Sequence, residues 1–145
     1  MSDAATTTRP HADVMRGVIP YLNLAGRAAE AADFYARAFA AADLGRMPDP
    51  ERPGKHMHIQ VEINGGALMM TDHGCEGTAT APPLESGHLQ LVVADGKAWW
   101  ERAVASGCTV VMPYERQPWG DDWGLLRDPF GIQWAVLQPG PAGEK

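Results

Sequence analysis

The chain offers little for chemistry: five histidines, two cysteines and a few well-placed carboxylates, amides and indoles, so their spacing decides what it can do. His56, His58, Gln60 and Glu62 alternate with Met57, Ile59, Val61 and Ile63, the two-residue period of a strand. Residues i and i+2 lie about 6.5–7 Å apart on one strand face, so His56 and His58 could bracket one divalent ion with Asp72 or His73. The plainer reading is an outward edge-strand face on which His58 bonds a neighbour. His88 and Gln90 share a second strand face, with Leu89, Leu91 and Val93 on the other. Trp119 and Trp123 flank Gly120-Asp121-Asp122. Indoles in such a loop can stack on a planar or cationic ligand, with Asp121 or Asp122 adding negative charge, or can form a dimer contact. Asp72, at a strand end, is the carboxylate that could work with His88 as an acid and base pair. Tyr21, Asn23 and Gln133 add neutral polar groups on further strands. Neither Cys75 nor Cys108 sits in a redox or nucleophile motif, and no Ser-His-Asp or Cys-His relay is visible.

The elements that must position these residues come in a repeated order. Residues 1–16 read as a disordered arm. Gly17–Leu24 reads as a strand, and GRAAEAADFYARAFAAA as a helix whose apolar stripe is Ala31, Phe34, Tyr35, Ala38 and Phe39. A short strand at Asp43–Met47 precedes a Pro-rich loop at 48–54. His56–Ile63 and Ala67–Thr71 form a hairpin about Asn64-Gly65. Thr78–Pro83 reads as a boundary by its Pro and small residues. The order then repeats: a strand at Gly87–Val93, an Asp95 N-cap, and a helix at Gly96–Ser106 buried through Trp99, Trp100, Ala103 and Val104. Gly107 stops that helix, and strands follow at Cys108–Tyr114, Trp123–Arg127 and Ile132–Leu137, the last two joined by a turn at Asp128-Pro129-Phe130-Gly131. A period of about 67 residues is too long for a solenoid and suits two copies of one βαβββ module, at 17–75 and 86–138, in a single domain over 17–138 with a tail at 139–145. The expected fold class is therefore α+β: two tandem βαβββ modules forming an open, incomplete barrel with helices on its convex face.

Composition narrows the partners. A net charge of −6 excludes the basic stripe that nucleic acid requires. No apolar run approaches the roughly 18 residues of a membrane span, and the N-terminus has no apolar centre of a secretory signal. Two cysteines suit a reducing, cytoplasmic setting.

Tyr21-Leu22 with GRAAEAADFYARAF, then GKHMHIQVEI-NGG-ALMMTD, then VVMPYERQPWGDDWGLLRDPFGIQW, all in order, resemble the vicinal-oxygen-chelate superfamily, and within it the PhnB-like branch. That superfamily includes glyoxalase I, bleomycin-resistance proteins and extradiol dioxygenases. The resemblance implies a homodimer and a pocket on the concave side of the sheets. It also implies four metal-ligand positions, which fall here on Ile19, Met69, His88 and Ala135. Only His88 of these could bind a hard divalent ion, so the usual metal is not expected. A methyltransferase label attached to the branch finds no glycine-rich nucleotide loop here.

These readings converge on a metal-independent protein that binds a small neutral or cationic aromatic molecule through Tyr21, Asn23, His58, His88, Gln90, Trp119, Trp123 and Gln133. The alternative is a divergent lyase, isomerase or dioxygenase that uses His88 and Asp72, or a divalent metal at an unusual site. A dimeric scaffold without ligand is the third class.

Overall fold

The computed structural model describes residues 13–73 and 84–141, so Cys75 and the boundary at 78–83 lie outside the described residues. Ten elements follow in order: β1 (Tyr21–Asn23), α1 (Ala28–Phe39), β2 (Ala42–Pro48), β3 (His56–Ile63), β4 (Gly66–Thr71), β5 (Leu84–Val92), α2 (Gly96–Ser106), β6 (Thr109–Arg116), β7 (Asp122–Arg127) and β8 (Ile132–Gln138). This is the α+β pattern of two tandem βαβββ modules. The strands pair as two separate four-stranded sheets, β1-β4-β3-β2 and β5-β8-β7-β6, and do not close into one barrel. In each sheet the first strand runs parallel to the last and the other pairs are antiparallel.

The chain divides into two compact units, Met1–Ala32 with Ala41–Thr80, and Asp33–Ala40 with Ala81–Lys145. In the first, the Asn64-Gly65 turn takes positive φ at both residues, 52° and 86°, the twist that a two-residue hairpin needs. Ile59, Val61, Leu68 and Met70 are buried, as are Ala28, Ala31 and Ala32 at the start of α1. The strand expected over 17–24 is shorter. Val18 is 98% exposed, and only Tyr21–Asn23 form a strand; Pro20 accepts from Met69 N–H but has no N–H to return. β3 is an interior strand with β2 outside it, so the expected edge-strand face is corrected: Gln60 is buried. Val14, within the segment read as an arm, is also buried.

In the second unit the later turns of α1 supply Phe34, Tyr35 and Phe39 to an aromatic core. The Tyr35 and Phe39 rings lie 5.3 and 4.6 Å from that of Trp134, between centroids. α2 is capped as expected: Asp95 accepts from Ala98 N–H, and Gly107, at φ 126°, donates back to Val104. Its burial differs from expectation. Gly96 and Ala103 are its buried residues and Val104 is exposed. Trp99 instead carries the Arg102 guanidinium over its ring at 4.5 Å, and Trp100 stacks on Tyr114 at 5.5 Å. Both indoles cover polar or half-buried neighbours instead of filling the core. Among the described residues no helix is long and apolar enough to cross a membrane.

Candidate functional site

The three described histidines of the first unit go three ways. His58 Nδ1 lies 2.8 Å from the Tyr21 hydroxyl. His73 Nε2 lies 3.3 Å from Asp49, whose carboxyl is held below its ordinary range by the Glu51 N–H it accepts and by His73 and Arg52. His56 buries its Nδ1 without a hydrogen-bond partner among the described residues. The shared ion envisaged for His56, His58 and Asp72 or His73 therefore has no assembled ligand set. Among the described residues no three His, Cys, Asp or Glu side chains gather closely enough to hold one ion.

Asp72, expected as an acid or base, has a different task. It is 2% exposed, and its Oδ1 accepts Gly26 N–H at 2.8 Å and Ala28 N–H at 2.9 Å while Oδ2 accepts His56 N–H at 2.8 Å. Three backbone donors occupy it, two of them at the start of α1, where a negative charge complements the helix dipole. Gln138 does the equivalent in the second module, its Oε1 accepting Gly96 N–H at 2.8 Å. In both modules the end of the parallel-paired last strand caps the helix. Asn23 is structural too: it donates to the His73 carbonyl and accepts Ala25 N–H at 3.1 Å, fixing a turn in which Ala25 has φ 54°.

Tyr21 spans from β1 across Met69 toward His58, since Tyr21 pairs with Met69 and Met69 with Gln60. Beside His58 lies a cleft of about 360 Å³ lined by Met15, Leu44, Gly45, Arg46, Met47, His58, Gln60 and Met69. Most of this lining escaped sequence reasoning. β2 carries a register shift between Asp43 and Gly45 that breaks its alternation, and Met15 precedes any periodic segment.

The second unit brings four of the expected residues together. Trp123 Nε1 donates to Gln90 Oε1 at 3.2 Å, and His88 Nε2 lies 3.3 Å from the same oxygen. The His88 and Trp123 rings meet edge to face at 6.1 Å, and Trp119 meets Trp123 likewise at 6.4 Å. Trp119 is 51% exposed, leaving indole surface uncovered. The loop carboxylates are engaged elsewhere: Asp121 is buried and accepts Gly140 N–H at 2.9 Å, and Asp122 pairs with Arg116 at 2.6 Å. Gln133 is half-buried on β8 opposite Arg127 and, among the described residues, makes no hydrogen bond to the indole cluster.

One buried carboxylate was read only as part of a turn. Asp128 Oδ2 accepts the Tyr35 hydroxyl at 2.6 Å and Trp134 Nε1–H at 2.9 Å, and its Oδ1 accepts Phe130 and Ile132 N–H at 2.9 and 3.0 Å. Burial, followed by the Asp128 charge, pushes the Tyr35 hydroxyl well above its ordinary range. The same two causes lift the Cys108 thiol to about 12, which makes it an inert core group.

The Glyoxalase/Bleomycin resistance protein/Dioxygenase superfamily profile matches residues 20–136. The chain belongs to that superfamily. The uncharacterized protein Rv0887c of Mycobacterium tuberculosis is 42% identical over 118 residues, covering 77% of this chain and 68% of the relative. Among solved structures, TioX from Micromonospora sp. ML1 superposes with a TM-score of 0.65 at 25% identity, covering 85% of this chain and 98% of TioX. The PhnB protein from Bacillus cereus gives 0.68 at 21% identity, covering 85% and 99%. The four metal-ligand positions that the superfamily resemblance implies are Ile19, Met69, His88 and Ala135. The register sets Tyr21 opposite Met69 and Gln90 opposite Ala135. Ile19, Met69 and Ala135 carry no oxygen or nitrogen donor in their side chains, which leaves His88 as the one donor among the four positions. A hard divalent ion needs carboxylates or several imidazoles, so these residues do not fit that metal.

Proposed function

We propose that this superfamily member is a small-molecule-binding protein that works without the superfamily's usual metal and holds a neutral planar aromatic molecule against Trp119 and Trp123. The observation that carries this reading is the cluster of His88, Gln90, Trp123 and the half-exposed Trp119. A hydrogen bond to Gln90 holds the Trp123 indole in place, so little side-chain freedom remains to be lost when a ring stacks on it. Engagement of Asp121 and Asp122 by a backbone N–H and by Arg116 favours a neutral ring over a cation. The protein is a homodimer in this reading, because β6 is an edge strand with Val110, Val111 and Met112 exposed.

The test is titration with N-phenyl-1-naphthylamine, a neutral fluorescent aromatic, alongside sedimentation. Trp119→Ala and Trp123→Ala should each weaken binding about tenfold, as loss of a stacking contact plus its buried area predicts, and leave the dimer intact. Unchanged affinity with a split dimer would make the loop an interface and sink the reading.

A further inference from the structure

The cleft of the first unit has a composition that the indole cluster does not explain. Four of its lining residues, Met15, Leu44, Met47 and Met69, are apolar. Thioethers are polarizable, adapt their rotamers and make favourable contacts with the edges of aromatic rings. The volume of about 360 Å³ lies within the range of small-molecule sites.

Its polar groups are more selective than their number suggests. Arg46 Nε is bonded to Asp43 Oδ2 at 2.6 Å, which offsets its charge and removes the case for an anion. Gln60 is 3% exposed and donates through Nε2 to the Met15 sulfur at 3.2 Å, which ties Met15 onto the sheet. His58 differs. Its Nδ1 meets the Tyr21 hydroxyl at 2.8 Å, and its Nε2 has no hydrogen-bond partner among the described residues. A phenol O–H is a far stronger acid than a neutral imidazole N–H, so the favoured arrangement has Tyr21 donating to Nδ1. A neutral imidazole that accepts at one nitrogen carries its proton on the other. His58 therefore offers the cleft a donor at Nε2, with Tyr21 as the positioning residue that sets the tautomer.

We infer that this cleft is a second ligand site, taking a neutral aromatic molecule that bears one hydrogen-bond-accepting oxygen, such as an aryl ketone. The ring lies among the thioethers and Leu44, and the oxygen accepts from His58 Nε2–H. The site stands independently of the indole cluster, since every residue lining it belongs to the first unit.

Two probes matched in size test this: 2-acetylnaphthalene and 2-ethylnaphthalene, which differ in the acceptor oxygen, measured by equilibrium dialysis. The native protein should bind the ketone about tenfold tighter, the worth of one well-made hydrogen bond. His58→Phe should erase that preference and leave the hydrocarbon's affinity unchanged. Tyr21→Phe, at a side chain 55% exposed and so safe for folding, should shrink the preference to about threefold because the tautomer is no longer fixed. Met47→Asp should weaken both probes at least tenfold, while Trp119→Ala should move neither. Equal affinity for the two probes, no binding of either, a preference that survives in both His58→Phe and Tyr21→Phe, or loss of both probes in Trp119→Ala would overturn the proposal.

Discussion

Replacing Tyr35 by Phe removes one oxygen from the buried aromatic core and leaves its shape almost unchanged. Tyr35 is fully buried, Asp128 is 4% exposed, and the hydroxyl sits 2.6 Å from Oδ2. A hydrogen bond to a charged group contributes about 1.5–3 kcal/mol, so Tyr35→Phe should cost about 2 kcal/mol. For a chain of this size that is a drop of roughly 4–8 °C in Tm. Asp128→Asn should cost more. Its amide must turn an NH₂ group toward either the backbone donors or the Trp134 N–H, and an indole nitrogen can only donate. At least one buried donor is then left without an acceptor and the others lose a charged one, about 3–5 kcal/mol together. The two effects should not add. Once Asp128 is an amide, the Tyr35 hydroxyl no longer faces a carboxylate, so the double variant should fall short of the sum by about 1–2 kcal/mol. Urea unfolding followed by far-ultraviolet circular dichroism measures all three variants. A loss below 0.5 kcal/mol for Tyr35→Phe, a limit set well under the range for such a bond, or strict additivity would refute this account of Asp128.

Two further outcomes follow from groups already described. Asp72→Ala should destabilise by about 2–4 kcal/mol, more than Gln138→Ala at about 1 kcal/mol, because Asp72 is a charged acceptor for a helix N–H, the turn N–H before it and a strand N–H; equal losses in urea unfolding would remove the distinction. Alkaline pH should also destabilise the protein, since the folded state raises the Cys108 thiol from its ordinary 9.0 to about 12. The unfolded chain gives up that proton first, so this stabilisation is complete below about pH 9 and is lost as pH rises toward 12. Tm should fall between pH 9 and 11 more steeply in the native protein than in Cys108→Ala, and identical slopes would count against it.

The parts of the fold legible in the sequence were those whose signals are local. The alternation of His56–Ile63, the Asn64-Gly65 turn and the caps of α2 at Asp95 and Gly107 each follow from a few adjacent residues. The indole cluster was legible for the same reason, as His88 and Gln90 share a strand face and two Trp flank one loop. What was not legible depended on distant partners. β5 begins at Leu84, earlier than its own sequence suggests, because Leu84 pairs with Ile132. Asp72 looked like chemistry until Gly26 and Ala28, 46 and 44 residues before it, proved to donate to it. Trp99 and Trp100 carry the apolar character of core residues, yet Arg102 and Tyr114 are what they meet. Met15 is tied into the cleft by Gln60, 45 residues on.

Helix α1 counts its first turn and a half with one unit and Asp33–Phe39 with the other. The boundary of the sequence repeat is therefore not the boundary of the cores. A chain cut between residues 74 and 83 would leave Tyr35 and Phe39 on one fragment and Trp134 and Asp128 on the other, so neither fragment would carry the second core whole. The same holds for inheritance. Exchange of one half-gene for that of a relative would set Tyr35 against a foreign partner for its hydroxyl. The repeat is therefore not separable at its own boundary, because one helix serves both compact units.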